Sequence, residues 1–292
     1  MIPDFLKDKL SNQYDNINDI IDGYLIDRYT TIRVNTIKSN IDEIKSIFDS
    51  ENIKYESVSF YKDALVIINK DESDIIKLDV YNEGKIYMQS LSSMIPPIIL
   101  NPKDNENILD MTAAPGSKTS QIAALADNKC LITAVEKDKY RCERLKYNLE
   151  KLGVKKVSVL NKDANLLDDY FLFDKILLDA PCSGSGTLNK ENINSFSEEL
   201  INKSIKKQRS LINKAISILK KDGILVYSTC SILREENEDI INEVLKENKV
   251  ELIKIDNKFN DILLLKTKID STLCIKPTKY FEGFFVAILK KL

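Results

Sequence analysis

Apolar and polar residues follow two different rhythms along this chain, and the change falls near residue 108. Before it, strand-like and helix-like spacings are mixed. Ile17 to Tyr29 has mixed helical spacing, and Thr31 to Val34 reads as a short strand. Ser39 to Asp49 predicts a helix, with Ser39 or Asn40 as N-cap and Ile41, Ile44, Ile47 and Phe48 on one face. Tyr55 to Phe60 and Ala64 to Ile68 read as strands. Gly84 to Met88 leads through Gln89-Ser90-Leu91-Ser92-Ser93 into Met94 to Leu100, a helical stretch that Pro96 and Pro97 disturb. Asn101 to Asn107 is polar and reads as the connection.

From Ile108 onward, strands and helices alternate. Candidate strands are Ile108 to Asp110, Leu131 to Val135, Val157 to Leu160, Lys175 to Leu178, Ile224 to Tyr227 and Leu252 to Ile255, with Phe284 to Leu289 closing the chain. Between most of them lie helical segments: Lys118 to Leu125, Tyr140 to Leu152, Glu198 to Leu219 and Asn237 to Lys246. Such alternation means a parallel sheet with right-handed crossovers, an α/β fold. The last strand follows no helix and is expected as an antiparallel edge. The chain is therefore expected to divide into a small α+β domain, residues 1–85, and an α/β domain, residues 86–292. It has no internal repeat and no low-complexity linker. Its heavy use of Asn, Ile and Lys reads as a nucleotide-composition bias.

Composition narrows the chemistry. At 43% hydrophobic and 30% charged residues, the chain fits an ordinary globular protein. No secretion-type segment or apolar run of membrane-spanning length is present, so the five cysteines are expected to be reduced and the protein cytoplasmic. Histidine is absent, which excludes Ser-His-Asp and Cys-His catalysis. With no CxxC pair either, no metal site is expected. A general base must then be a carboxylate, a thiolate, a lysine or a tyrosine. The net charge of −2 argues against a broadly basic, phosphate-binding protein. Local basic runs do occur at Lys151 to Lys156, Lys203 to Arg209 and Lys290-Lys291, each either a solvated face or a binding patch.

Candidate chemistry gathers where strands end, as it does in parallel sheets. The first strand of the alternating part runs into Asp110-Met-Thr-Ala-Ala-Pro-Gly-Ser-Lys-Thr119. Small residues here let the backbone approach a ligand at the next helix N-terminus. The loop is neither GxGxxG nor Walker A. The second strand ends at Glu136, placed to hold a ribose diol, and the third runs into Lys162-Asp163-Ala164, a candidate adenine contact. A nucleoside site without a phosphate anchor suggests S-adenosylmethionine. Two later strands end in Asp179-Ala-Pro-Cys182 and Ser228-Thr-Cys230-Ser231. A lone cysteine in such a place is most simply a buried small hydrophobe. Two thiols brought to one sheet edge, one beside a carboxylate, point instead to a covalent mechanism.

These motifs resemble those of the Nop/Sun family of RNA cytosine-5 methyltransferases. The resemblance rests on Asp110 to Thr119, Glu136 with Arg141, Asp163, Asp179-Ala-Pro-Cys-Ser-Gly184, and Tyr227-Ser-Thr-Cys-Ser231 followed by Glu236-Asn237-Glu238. It extends to Arg33-Val34-Asn35-Thr36, Gln89 to Pro97 and Glu282 to Ala287, and so covers almost the whole chain. The implied fold is a Rossmann-like S-adenosylmethionine-dependent methyltransferase sheet with a small N-terminal RNA-contacting domain, similar to part of an RNA recognition motif. The implied cofactor site is the loop Ala113, Ala114, Pro115, Gly116, Ser117 and Lys118 around the methionine part, Glu136 on the ribose, Arg141 supporting it and Asp163 at the adenine. Asp179 would hold the target cytosine, Cys230 would be the nucleophile and Cys182 would help to release product. Where relatives commonly have Cys and Gly, this chain has Thr112 and Ser117, small changes that bear on cofactor affinity more than on activity. Gln89 to Leu100 and the lack of a long extension are most similar to the short archaeal tRNA enzymes. Larger bacterial relatives act on 16S ribosomal RNA. The implied partner is RNA, with tRNA favoured over rRNA, no membrane, and room for an accessory protein.

Elementary chemistry agrees with this reading. Carbon 5 of cytosine is a poor nucleophile until a thiolate adds at carbon 6 and turns the ring into an enamine. The attacking thiol needs a lowered pKa, which Lys118 or the cofactor's sulfonium can supply. Candidates for removing the carbon 5 proton are Asp179, Cys182 and a bound water. The target base must be unstacked to be reached. DNA cytosine-5 enzymes place their cysteine after Pro-Pro, whereas Ala180 stands here, and amino-group methyltransferases use no thiol. A non-catalytic RNA-binding or ribosome-assembly protein on the same fold would be expected to lack Cys230, Asp179 or Glu136, and all three are present.

Overall fold

The computed structural model describes residues 2–255 and 259–292. Two helices come first, α1 (Asp4–Gln13) and α2 (Ile17–Leu25). By contacts they belong with the C-terminal half: one compact unit is Met1–Arg28 with Ala164–Leu292, and the other is Tyr29–Asp163. The cuts at 28/29 and 163/164 differ from the division at 85/86 drawn from the sequence pattern. Helix α1 has only Leu6 and Leu10 as a buried stripe, too narrow to stand out in the sequence.

In the unit Tyr29–Asp163, a small sheet comes first. Its elements are β1 (Thr30–Val34), α3 (Ile41–Ser50), β2 (Tyr55–Ser57), β3 (Ala64–Ile67), the single-turn helices α4 (Glu72–Ile75) and α5 (Asp79–Asn82), and β4 (Ile86–Met88). The strand order is β2-β3-β1-β4, with every neighbour antiparallel. Asn40 caps α3 by accepting from the amides of Asp42 and Glu43 at 3.1 and 3.0 Å. That cap turns Ile44 and Phe48 onto Ile32, Val34, Leu65, Ile67 and Ile86, a single apolar cluster. The turns α4 and α5 went unseen in the sequence, because four residues carry no helical period.

Helix α6 (Leu91–Leu100) contains both prolines. Proline gives no amide hydrogen, so Pro97 leaves the carbonyl of Ser93 without its helical donor. The side-chain amide of Gln89 supplies one, donating to Ser93 O at 3.1 Å. The parallel segment follows: β5 (Asn107–Asp110), α7 (Ser117–Leu125), β6 (Leu131–Val135), α8 (Lys139–Lys151) and β7 (Val157–Leu160), with β5–β6 and β6–β7 parallel as the alternation predicts.

A buried polar network ties the small sheet to α7. Arg33, on β1, is fully buried. Its Nε donates to Gln89 Oε1 at 2.9 Å and one terminal nitrogen donates to Ser120 Oγ at 2.7 Å. Gln89 Nε2 also reaches Gln121 Oε1 at 2.9 Å, and Gln121 in turn donates to Met94 O at 2.9 Å. Burial lowers the Arg33 pKa, against the opposing pull of Tyr61, Tyr87 and Asp63. Arg33 thus braces the protein interior and offers no side chain to RNA.

The other unit continues with β8 (Phe173–Asp179), α9 (Glu198–Ser217), β9 (Leu219–Thr229), α10 (Glu238–Leu245), β10 (Val250–Ile253), β11 (Leu273–Ile275) and β12 (Phe284–Lys291). Strands β8 and β9 are parallel, β9 and β12 antiparallel, and β10 and β11 both pair antiparallel with β12. The closing strand is antiparallel as expected but is not an edge, since β10 covers its outer side. Leu6, Leu10, Ile20 and Tyr24 of the first two helices are fully buried, and Gln13 donates to Glu235 at 2.6 Å. Among the described residues, no helix is long and apolar enough to cross a membrane.

Replacing Arg33 strands two acceptors in a dry interior. Arg33→Met and Arg33→Lys are both expected to lower unfolding stability by about 2–4 kcal/mol, because lysine lacks the fork that serves both acceptors. A urea midpoint unchanged in either variant would contradict this.

Candidate active site

In the unit Tyr29–Asp163, the cofactor candidates lie beyond the ends of β5 and β6. Ala113 N–H donates to Val135 O at 2.9 Å, which pins the loop to β6. Gly116 has φ +106°, a left-handed conformation, and a Cβ there would come within 3.0 Å of Leu145 Cδ1. The next residue starts α7, so the loop presents small side chains and a helix N-terminus together. Lys118 is buried and its ammonium donates to Ser93 Oγ at 2.8 Å.

Glu136 ends β6 and is only 5% exposed. Its Oε1 accepts from the Asp138 amide at 2.9 Å, and its Oε2 lies 3.5 Å from Arg141 Nη1. Arg141 also donates to Ala114 O at 3.0 Å, so one guanidinium holds the carboxylate and the loop in register. An ionised carboxylate has about four lone-pair sites, and these contacts leave capacity for a vicinal diol. Asp163 is partly buried, two residues beyond Asn161, whose amide donates to Glu136 O at 2.9 Å. A buried acid, a loop of small side chains and a helix N-terminus suit a nucleoside carrying an amino-acid tail.

In the other unit, Asp179 is the last residue of β8 and pairs in register with Ser228 of β9. Ser228 Oγ donates to Asp179 Oδ1 at 2.7 Å, which orients the carboxylate. Cys182 and Cys230 follow those two strands, and their sulfurs lie 3.0 Å apart. Both are partly buried. The hydrogen bond to Cys230 and then burial raise the Cys182 pKa well above the ordinary thiol value, which favours its protonated form.

What holds the sulfurs together is a residue to which the sequence motifs assigned no role. Glu236 is fully buried. Its carboxylate accepts from Ser183 N and Ser183 Oγ at 2.7 and 2.6 Å, from Ser231 Oγ at 2.6 Å and from Gln208 Nε2 at 3.3 Å. Ser183 follows Cys182 and Ser231 follows Cys230. One carboxylate therefore clamps both cysteine loops. Burial pushes its pKa up, while these donors hold it down. The loops are bolted again by Gly186 N–H to Cys230 O at 2.9 Å and by Ser185 Oγ to Ser231 Oγ at 2.8 Å. Gly186 must be glycine, since a Cβ would fall 1.9 Å from Gly283 O. The sequence signal for Glu236 is an acid shortly after Cys230 in a predicted loop, which only its burial distinguishes from a surface acid. Among the described residues, no group of three or more Cys, Asp or Glu is arranged to hold a metal.

Residues 97–290 match the family described as 16S rRNA methyltransferase RsmB/F. The chain is 35% identical over 271 residues to the ribosomal RNA small subunit methyltransferase F of Shewanella amazonensis, covering 89% of this chain and 58% of that protein. It thus spans a little over half the length of such relatives. It is 34% identical over 273 residues to the tRNA (cytosine(49)-C(5))-methyltransferase of Pyrococcus abyssi, covering 89% of this chain and 88% of that one. A solved structure of a methyltransferase homologue from Pyrococcus horikoshii superposes with a TM-score of 0.85 at 31% identity, covering 100% of both chains. The expected α/β methyltransferase fold is therefore the fold of this chain.

Two outcomes follow from the clamp. Glu236→Ala leaves a buried amide and two hydroxyls without their acceptor, and is expected to cost on the order of 3 kcal/mol in a urea titration. An unchanged midpoint would show that the clamp carries no stability. Cys182 titrates higher folded than unfolded, where a thiol has a pKa of about 8.5. Its contribution is complete below that value and is lost as pH rises through the folded one. Buried Cys130 and Cys274, pushed up to about 11 and about 12, act in the same sense. Wild-type stability should fall between about pH 8 and 11, and less steeply in Cys182→Ala; equal slopes would refute the shift.

Proposed function

The chain belongs to the RsmB/F family of methyltransferases, and from that premise we propose that it transfers a methyl group from S-adenosylmethionine to carbon 5 of a cytosine in RNA. The observation that carries this reading is the pair of sulfurs 3.0 Å apart at the ends of parallel strands, one of them held protonated. A buried thiol pair serving packing alone needs neither an adjacent oriented carboxylate nor a buried acid fastening both loops.

In this reading Cys230 adds through Sγ to carbon 6, and the electron pair of the 5,6 double bond moves to carbon 5. Asp179, oriented by Ser228, meets the N3/N4 edge of the ring. Bound S-adenosylmethionine supplies the methyl group as an electrophile on sulfur. A base then takes the carbon 5 proton, the 5,6 double bond re-forms, and the Sγ–C6 bond breaks. Cys182, a thiol beside the departing sulfur, assists this release. Ala113 to Lys118, Glu136, Arg141 and Asp163 hold the cofactor, with Glu136 accepting from the ribose hydroxyls and Arg141 fixing Glu136. Residues 1–85 contribute to RNA contact, the enzyme works in the cytoplasm, and no step calls for a metal ion.

We take tRNA as the substrate. The Pyrococcus abyssi relative, named for a tRNA position, matches over nearly its full length. A second reading, 16S rRNA, is favoured by the family description and by relatives such as that of Shewanella amazonensis.

Trapping separates these assignments. Cys182→Ala should still attack and methylate, then accumulate a denaturation-stable protein–RNA adduct, whereas Cys230→Ala should form none and be inactive. Sequencing the trapped RNA distinguishes tRNA from 16S rRNA. An adduct in Cys230→Ala would make Cys182 the nucleophile, and activity retained in both variants would make the thiols structural.

A further inference from the structure

The basic runs of the sequence meet different fates in the fold. On α9, Lys203 pairs with Glu199 at 2.6 Å, and Arg209 grips Glu243 with two bonds of 2.6 and 2.7 Å. Lys290 pairs with Asp222 at 2.8 Å, and Lys291 is spent on the carbonyls of Ile216 and Leu219 at 2.7 Å each. Those cations are neutralised or used as structural donors; Lys206 and Lys207 stay exposed on α9, whose sequence carries no aromatic ring beside them.

Helix α8 and its flanks behave otherwise. Residues 137–156 hold eight basic and three acidic side chains, a net +5 in a chain whose formal net charge is −2. Cys142, Leu145 and Leu149 form the buried face. On the outer side, Tyr140 is 86% exposed and Tyr147 is 64% exposed. They are seven positions apart, about two helical turns, so they share one side of the helix, with exposed Arg144 between them. Lys139, Arg144, Lys155 and Lys156 make no ion pair among the described residues. Cations left unpaired beside two solvent-facing rings form a surface that costs self-repulsion and gives nothing back to folding.

We propose that the outer face of α8, continued by Lys155 and Lys156, is a contact surface for the substrate RNA. The inference rests on the methyltransferase reading above. Phosphates spaced along a strand meet the cations, and bases between them stack on the tyrosines. An acidic protein would meet the charge but offers no comparable planar partner for two exposed rings.

The test uses the full-length protein and an unmodified tRNA transcript, with binding measured across a salt series. Lys139→Ala/Arg144→Ala/Lys156→Ala should flatten the dependence of log affinity on log salt by about 2, since each lost phosphate contact removes about 0.7–0.9. Tyr140→Ala/Tyr147→Ala should weaken binding by about tenfold or more at an unchanged slope, as loss of stacking does. S-adenosylmethionine affinity, read by calorimetry, should stay at the wild-type value in both. Wild-type affinity and slope in both variants, in a protein that methylates RNA, would overturn this surface and leave the function standing. A wild-type protein that binds no RNA would instead sink the function reading and this surface with it. If the variants lose binding to poly-glutamate while RNA binding is intact, the face belongs to an acidic protein and the proposal fails.

Discussion

A single buried carboxylate organises the reactive end of this protein. Glu236 takes hydrogen bonds from the residue after each cysteine, so one acid ties the Cys182 and Cys230 loops together. A charge in that position is costly to desolvate, and it is tolerated because four donors converge on it. The same acid adds its negative field to the forces that keep Cys182 protonated. Packing and protonation of the thiol pair therefore have a common origin. Tyr227 strengthens the anchor from β9, donating to the Glu236 carbonyl at 2.7 Å.

The unit Tyr29–Asp163 uses the opposite charge in a parallel way. Arg33 and Gln89 sit in motifs that the resemblance places in or beside an RNA-contacting domain, yet both are interior. Gln89 completes α6 where Pro97 cannot, accepts from Arg33 and holds Gln121 of α7. The start of α7, where the small-residue loop ends, is thereby fixed to β1. Polar residues that recur in such motifs are not all surface recognition residues. One terminal nitrogen of Arg33 has no hydrogen-bond partner, but the rest of the network is paired, and other arrangements of its elements leave more donors and acceptors unpaired in a dry interior.

Charge is distributed unevenly rather than absent. The chain is slightly acidic as a whole, and several of its lysines, Lys203, Lys214 and Lys290 among them, are occupied by neighbouring carboxylates. Unpaired cations remain on α9 at Lys206 and Lys207 as well as on α8, but only on α8 do they lie beside exposed tyrosines that the core did not take. Net charge by itself thus says little about where unpaired cations gather in this protein.

Much was legible in the sequence. Leu131–Val135 and Val157–Leu160 are strands at the expected bounds, and the helix between them differs by one residue at each end, because hydrophobic period is a local property. The cap of α3, narrowed to Ser39 or Asn40, and the small residues ahead of α7 were equally visible, since each acts on its own few residues. The type of chemistry was also local, because the absence of histidine and the repeated Cys motif restrict it without any fold. Tertiary structure alone decided the rest. It drew residues 1–28 into the C-terminal half, placed β12 inside its sheet, buried Glu236 and Arg33, and chose which lysines would be neutralised. Those outcomes depend on partners far away in sequence, and whether a carboxylate is a surface acid or a buried clamp is written only in the donors that the fold brings around it.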